Sequence, residues 1–127
     1  MFYNYTYSKT VNTQKVHEFD NSVGKQLIYV PEHSMNLAVK LSFKEYYLSY
    51  NSQFIGARYI SSDHAEFLPS YNLSDMTLGK TIKYKKQEFE LSFSILNMFD
   101  LEYQAIQWRP MPGRNYLISL KYRINAK

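Results

Sequence analysis

Apolar and polar residues alternate along most of this 127-residue chain, and no stretch shows a convincing helical period. The clearest alternation is in MNLAVKLSF, and it returns in EFELSFSIL and in the closing stretch NYLISLKYRI. Weaker alternation runs through residues 3–7, 46–60 and 76–84, where Lys80 interrupts the apolar side. Because neighbouring side chains of a strand point to opposite faces, the pattern predicts about six strands, each with one apolar and one polar face.

The predicted connections are alternately short and long. Lys44 and Glu45 separate strands two and three, and residues 85–87 separate strands four and five, which are hairpin lengths. The other connections run through 11–34, 61–70 and 99–113. All long connections then lie at one end of an antiparallel up-and-down sheet, as in transmembrane barrels. Strands of about ten residues also match the roughly 25 Å apolar band of a bacterial outer-membrane barrel.

Composition supports a surface with one wet and one apolar side. The chain has 13 Tyr and 8 Phe but a single Trp, and tyrosine rings are favoured at membrane interfaces. The net charge of +4 is spread along the chain, with one short basic run at 83–86 that we interpret as a turn. The aromatic residues do not cluster beside that run, which argues against nucleic acid as a partner. There is no Cys, and the first residues, MFYNYTYSKT, do not resemble a secretory signal.

The sequence offers little for catalysis. Ser62, Asp63 and His64 are adjacent in a predicted loop, which does not provide the geometry of a triad. His17 and His33 lie far from His64 and from each other, so no metal-ligand spacing is present. The four glycines form no phosphate loop. We therefore expect no catalytic, cofactor-binding or metal-binding residue, and no enzyme.

Two arrangements of an all-β antiparallel sheet fit the alternation. In a transmembrane barrel the apolar faces contact lipid, whereas in a soluble barrel that binds a small apolar ligand they point inward. The period alone does not decide between them, because it does not show which face meets water. Dependence on detergent would separate the two.

Three stretches give the sequence a recognisable likeness. NMFDLEYQAIQWRPMPGRNYLISLKYRI closely resembles the C-terminal end of TonB-dependent outer-membrane receptors, with its Asn-Leu-Phe-Asp motif and Pro-x-Pro-Gly-Arg turn. GKQLIYVPEHSMNLAV and FIGARYISSDHAEFLPSYNLSDMTLGK resemble two upstream stretches of the same family. The residues that match the family's motifs are Pro31, His33, Tyr59, Leu68, Pro69, Tyr71, Asp75, Asn97, Phe99, Asp100, Tyr103, Pro110, Pro112, Gly113 and Arg114. The likeness is greatest to the cobalamin and siderophore receptor branch found in Bacteroidetes.

The resemblance implies a transport function in the Gram-negative outer membrane. Residues 1–127 correspond to the C-terminal part of the receptor barrel, and the plug domain and earlier strands are expected to be absent from this stretch. The intact parent is expected to import a scarce chelate or cofactor of the iron-siderophore or cobalamin class. Its expected partners are outer-membrane lipid, the rest of the barrel and the plug, with the TonB complex contacted only through the missing N-terminal part.

Two further roles follow from the resemblance. The last strand carries an aromatic and apolar alternation of the kind that the barrel-assembly machinery recognises, and its residues are Tyr116, Ile118, Leu120, Tyr122 and Ile124. The tail 125–127 departs from the family, whose chains usually end on an aromatic residue. Polar residues of the strands are expected to face the barrel lumen and to solvate its wall or contact the plug, namely Lys40, Glu88, Glu90, Ser92 and Ser94.

Overall fold

The computed structural model describes residues 1–15 and 18–124, and that part of the chain contains ten strands and no helix. The strands are β1 (Phe2–Tyr7), β2 (His33–Phe43), β3 (Tyr46–Ile55), β4 (Arg58–Tyr59), β5 (Phe67–Leu68), β6 (Tyr71–Tyr84), β7 (Gln87–Leu96), β8 (Gln104–Ile106), β9 (Arg109–Pro110) and β10 (Asn115–Ile124). Six of them form one antiparallel sheet in the order β1, β2, β3, β6, β7, β10. The predicted all-β, up-and-down fold is confirmed.

The register of the sheet gives it two chemically different faces. Directly paired residues of antiparallel strands share a face, so the pairs Leu41 with Leu48, Leu48 with Leu78, Leu78 with Phe93 and Phe93 with Ile118 continue one apolar row across five strands. We call this side the apolar face. The opposite side, the polar face, carries among others Lys40, Ser49, Thr77, Ser94 and Glu90.

The two ends of the sheet differ as predicted. At one end, here called the turn end, two-residue turns join β2 to β3 through Lys44 and Glu45, and β6 to β7 through Lys85 and Lys86. At the other, the loop end, lie the long connections. Two of these hold small two-stranded sheets of their own, β4 with β5 and β8 with β9.

Some predicted boundaries were wrong. Strand three was expected to reach residue 60 but ends at Ile55. The Gly56 amide still donates to the His33 carbonyl of β2 at 2.8 Å, and the chain then enters β4, which pairs with β5 instead of β2. A Cβ at Gly56 would lie 2.8 Å from that oxygen, so a larger residue would not fit there unchanged. Strand four was expected to begin at residue 76 but begins at Tyr71, and Gln87 belongs to β7 and not to the turn.

The apolar face is uncovered. Leu120 is 74% exposed and Ile118 is 72% exposed, and among the described residues Leu68 is the one buried hydrophobic side chain. A soluble barrel would have to close over its apolar side, but here β1 and β10 each pair with a single strand. The sheet therefore has no hydrophobic core of its own, and its stability depends on what covers that face.

A helix long and apolar enough to cross a membrane does not occur within residues 1–15 and 18–124.

Candidate functional site

Charged side chains form a network on the polar face near the turn end. Glu88 of β7 accepts from Arg123 of β10 at 3.1 Å and lies 3.7 Å from the Lys83 ammonium of β6. Glu90 lies 3.9 Å from the Lys121 ammonium. These cross-strand pairs join the last three strands of the sheet on its polar face.

Tyr47 extends this network across the centre of the sheet. Its ring lies over Gly79, where a Cβ would collide with ring atoms, and its hydroxyl donates to Glu90 Oε1 at 2.8 Å. The Lys40 ammonium lies 4.3 Å from the centroid of the same ring. A glycine opposite an aromatic residue is a known means of filling a bare position in a sheet, and here it lets one tyrosine connect β3 with β7.

At the loop end, Asn97 organises the turn that follows β7. It is only 6% exposed and has a left-handed backbone with φ of 49°. Its side chain donates to the Leu101 carbonyl and accepts from the Leu101 amide, both at 2.9 Å. The main-chain amide of Asn97 donates to Asp75 Oδ1 at 2.8 Å, so this asparagine connects the turn to β6.

The Pro-x-Pro-Gly-Arg segment is held by the same turn. Asp100 Oδ1 accepts from the Arg114 amide at 2.7 Å, and a Cβ at Gly113 would lie 2.6 Å from that oxygen. Asn97 Nδ2 also donates to the Pro112 carbonyl at 3.4 Å. Asn97, Asp100 and Gly113 are thus brought together, and the contacts give each a physical reason to be there.

Arg58 is the most buried cation of the loop end, at 5% exposure. Its guanidinium lies 4.9 Å from the Tyr71 ring centroid and donates to the main-chain carbonyls of Gln104 and Ala105 at 3.0 and 3.3 Å. Its Nε atom has no hydrogen-bond partner. Tyr103 packs against the same Tyr71 ring, and the two ring centroids are 4.7 Å apart. Burial, with the nearby Tyr71 and Asp75, raises the pKa of Tyr103 above its usual value.

Two of the long connections are fastened to each other. His64 Nε2 lies 2.8 Å from the Gln26 carbonyl, and Lys25 donates to the Asp63 carbonyl at 2.8 Å. The Tyr29 amide donates to the Tyr59 carbonyl at 2.7 Å. These contacts hold the connection between β1 and β2 against the hairpin formed by β4 and β5.

The side chains of Asp63 and His64 also contact residues of their own hairpin. The Ser61 hydroxyl and the Ala65 amide lower the pKa of the Asp63 carboxyl, and the His64 ring stacks on Tyr59 at 3.6 Å. No group of three or more metal-ligating side chains occurs in the described ranges. His17, considered as a ligand from the sequence, lies outside the described residues.

Six of the motif residues line an open cleft of about 690 Å³ between β5 and the 99–113 connection. They are Leu68, Pro69, Asp100, Tyr103, Pro110 and Gly113. Phe99 remains 67% exposed on the turn itself, and Pro31 precedes β2. His33 begins that strand, and its Nδ1 atom shares a hydrogen bond of 2.7 Å with the Tyr5 hydroxyl. The motif residues therefore gather mainly at the loop end.

The predicted assembly residues share the apolar face of β10. Tyr122 stacks on Phe89 and Tyr116 on Phe93, with centroids 4.7 and 6.1 Å apart. Ile118, Leu120 and Ile124 continue the row. Their recognition by assembly machinery stays a prediction.

Sequence reasoning missed Arg58, Tyr47 and Gln26. Gln26 is buried and bonds both the Thr10 amide and the Ser8 carbonyl. The hydrogen bonds of Arg58 to Gln104, of Tyr47 to Glu90 and of Gln26 to Thr10 join residues far apart in the sequence, which no local pattern reveals. The one available signal was the Gly79 position within a strand, since glycine there often marks a close approach.

Comparison with known proteins agrees with this geometry. The fold is similar to the crystal structure of BauA, the ferric preacinetobactin receptor from Acinetobacter baumannii, with a TM-score of 0.77 and 19% identity over 93% of this chain and 18% of that chain. This chain thus spans less than a fifth of that receptor's length. A search of curated proteins gave no match. The profile of the family described as TonB dependent receptor-like, beta-barrel matches residues 1–98. A match over that much of the sequence shows that the chain belongs to the TonB-dependent receptor β-barrel family.

Proposed function

We propose that this chain forms part of the barrel wall of a TonB-dependent transporter in the Gram-negative outer membrane. The observation that carries the proposal is the two-faced sheet, with an uncovered apolar face and a polar face joined by ion pairs. Lipid covers the first and the aqueous lumen hydrates the second. The family is one of transport receptors and not of enzymes.

The two ends of the sheet give its orientation. Outer-membrane barrels have short turns in the periplasm and long loops outside the cell. The turns at Lys44 and Lys85 would then face the periplasm. Asn97, Arg58 and the cleft beside Tyr103 would face the exterior, where a ligand arrives.

The wall is completed by other strands. Six strands leave two edges, and lipid cannot satisfy their main-chain groups. The remainder of the barrel would pair with β1 and β10, while a plug would fill the lumen beside Lys40 and Glu90. In this proposal the TonB complex acts through an N-terminal part of the receptor, and the assembly machinery reads β10.

The proposed cargo is a scarce chelate or cofactor of the iron-siderophore or cobalamin class, as in the receptor branch found in Bacteroidetes. Support comes from the family and from the similarity of the fold to BauA, a ferric preacinetobactin receptor. A deletion of the gene tests the class by growth on limiting iron-siderophore and on limiting cobalamin. Impaired growth on one of the two identifies the cargo, and unimpaired growth on both contradicts the proposal.

Cysteine scanning tests the wall itself, and this chain contributes no native Cys. Any Cys elsewhere in the receptor is first replaced by Ser. Leu41→Cys, Leu78→Cys and Leu120→Cys probe the apolar face, and Ser49→Cys, Thr77→Cys and Ser119→Cys probe the polar face. In the intact receptor we expect a lipid-soluble maleimide to label the first set and a water-soluble maleimide the second. Labelling of both sets by the water-soluble reagent alone contradicts a lipid-facing sheet.

A further inference from the structure

Charge is distributed unevenly between the two ends of the sheet. Within the described residues, the turn end carries three carboxylates, Glu45, Glu88 and Glu90, and eight basic side chains: Lys40, Lys44, Lys80, Lys83, Lys85, Lys86, Lys121 and Arg123. The rest of the described chain has eight carboxylates and six basic residues. The turn end is therefore strongly cationic, although the composition as a whole is only mildly so.

On the polar face most of these cations already have partners. Lys83 and Arg123 pair with Glu88, and Lys121 pairs with Glu90. The excess positive charge without a carboxylate partner lies mainly in the two turns, at Lys44, Lys85 and Lys86. None of these three has a carboxylate within 4 Å among the described residues.

Three of the turn-end lysines lie against aromatic rings of the apolar face. The ammonium of Lys44 is 5.3 Å from the Phe43 ring centroid, and that of Lys85 is 5.4 Å from the Tyr84 ring centroid. Lys80 lies 4.9 Å from the Tyr46 ring and 3.5 Å from Glu45. These six residues, Phe43, Lys44, Tyr46, Lys80, Tyr84 and Lys85, form the lysine-aromatic band.

The backbone of the two turns gives an independent reason to examine these lysines. Lys44 and Lys85 occupy the same first position of their turns and have left-handed backbones, with φ of 55° and 53°. Glycine or asparagine is better suited to that conformation. Two-residue hairpin turns require a left-handed backbone at this position, and lysine occupies it in both turns although glycine or asparagine fits better.

The chemistry of the band matches the boundary between hydrocarbon and headgroups. Aromatic rings are favoured at that level, and lysines extend their ammonium groups from it into the headgroup layer. Anionic phosphates supply the charge that the unpaired ammonium groups lack. Since the band borders the apolar face, lipid is the occupant that contacts the rings and the ammonium groups together.

We propose that the lysine-aromatic band binds the phosphate groups of anionic phospholipids in the leaflet that meets the turn end. The proposal rests on the barrel-wall function, because it requires the apolar face to lie in a bilayer. It adds a preference for lipid charge, which that function does not include.

The test compares vesicles of phosphatidylcholine with and without phosphatidylglycerol. The full 127-residue chain is diluted from urea into each, and the bound fraction is measured by flotation. The variant is Lys44→Asn with Lys85→Asn, because asparagine keeps the left-handed turn while removing the charge. The matched control is Lys9→Asn with Lys15→Asn, which removes the same charge from the loop end.

We expect phosphatidylglycerol to strengthen binding of the unmodified chain and of the control. At about 1 kcal/mol for each lysine near an anionic surface, the Lys44 and Lys85 variant should bind these vesicles about thirtyfold more weakly than the unmodified chain. Its binding to phosphatidylcholine alone should be unchanged.

The possible failures are distinguishable. An equal loss in the control shows attraction by net charge alone and overturns the band as a binding surface. No gain from phosphatidylglycerol in the unmodified chain also overturns it. Failure of the unmodified chain to bind either kind of vesicle also overturns the band. The barrel-wall function is judged separately, by the cysteine labelling of the intact receptor, because the isolated chain has two open sheet edges.

Discussion

Asn97 combines two properties that few other residues offer, a tolerance of left-handed backbone and a side chain that both donates and accepts. We expect Asn97→Ala to lower the free energy of unfolding by about 2–4 kcal/mol, because it strains the backbone and leaves the partly buried main-chain amide and carbonyl of Leu101 without their partner. Urea titration of the reconstituted protein measures this.

Asn97→Gly separates the two contributions. Glycine relieves the backbone strain but not the loss of hydrogen bonds, so it should be about 1 kcal/mol less damaging than alanine. Equal losses in the two variants would mean that the left-handed backbone contributes nothing.

Gly79 provides a second prediction at the scale of one residue. Gly79→Ala would displace the Tyr47 ring and break its bond to Glu90, at an expected loss of about 1–3 kcal/mol. In a Tyr47→Ser background the same change should have almost no effect, which a double-mutant cycle measures. A loss of similar size in both backgrounds would contradict the proposed contact.

Sequence reasoning named single residues where a motif contained them, and it missed residues whose contacts depend on strand register. Asn97, Asp100 and Gly113 were identified by resemblance, whereas the contact of Tyr47 with Gly79 depends on how β3 pairs with β6. Lys80 was correctly seen to interrupt the apolar row. Its partners, Tyr46 and Glu45, became visible only with the turn in place.

At the scale of elements, Arg58 of β4 attaches the hairpin of β8 and β9 to the small sheet of β4 and β5. We expect Arg58→Met to free that hairpin, since the change removes both donors to the main chain of β8. Trp108, the chain's one Trp, lies at the tip of the hairpin and is 83% exposed, so a fall in its fluorescence anisotropy reports the release. Arg109→Met, on the exposed side of the same hairpin, is the control and should leave the anisotropy unchanged.

The loop turn at Asp63 should respond to acid. Its carboxyl pKa lies below the ordinary value of 3.8, because the carboxylate accepts from Ser61 and from the Ala65 amide. The ionised Asp63 carboxyl therefore stabilises the folded turn fully above its ordinary pKa, and this stabilisation is lost as the pH falls through the lowered pKa. An NMR titration should show the Ala65 amide shift following Asp63, and Asp63→Asn should abolish that pH dependence. An Asp63 titration at or above 3.8 would contradict the assignment.

The six long strands could be predicted because each repeats its alternation often enough to be seen. The four short strands, of two or three residues each, could not be, since so few residues show no period. They exist because loop segments such as Phe67–Leu68 find main-chain partners at the loop end. Residues 46–60 were predicted as one strand because β4 continues the alternation of β3 after a break at Gly56.

At the scale of the whole molecule, the edges of the sheet should be its least protected part. In detergent, we expect the outward amides of β1 and β10 to exchange hydrogen much faster than the amides of β3 and β6, which have a strand on both sides. Hydrogen exchange resolved by residue measures this on the 127-residue chain. Equal protection at edge and centre would show that another strand pairs with the edges.

The order of the six long strands in the sheet is also their order along the chain. Each strand can therefore be laid down beside the one just formed, and every new contact closes a connection and not the whole length of the polypeptide. Such a sheet grows by templating, one hairpin at a time. Gain or loss of two adjacent strands would preserve the alternation of strand direction and the identity of each face. A barrel of this kind can therefore become wider or narrower while each strand still forms beside its neighbour in the same way.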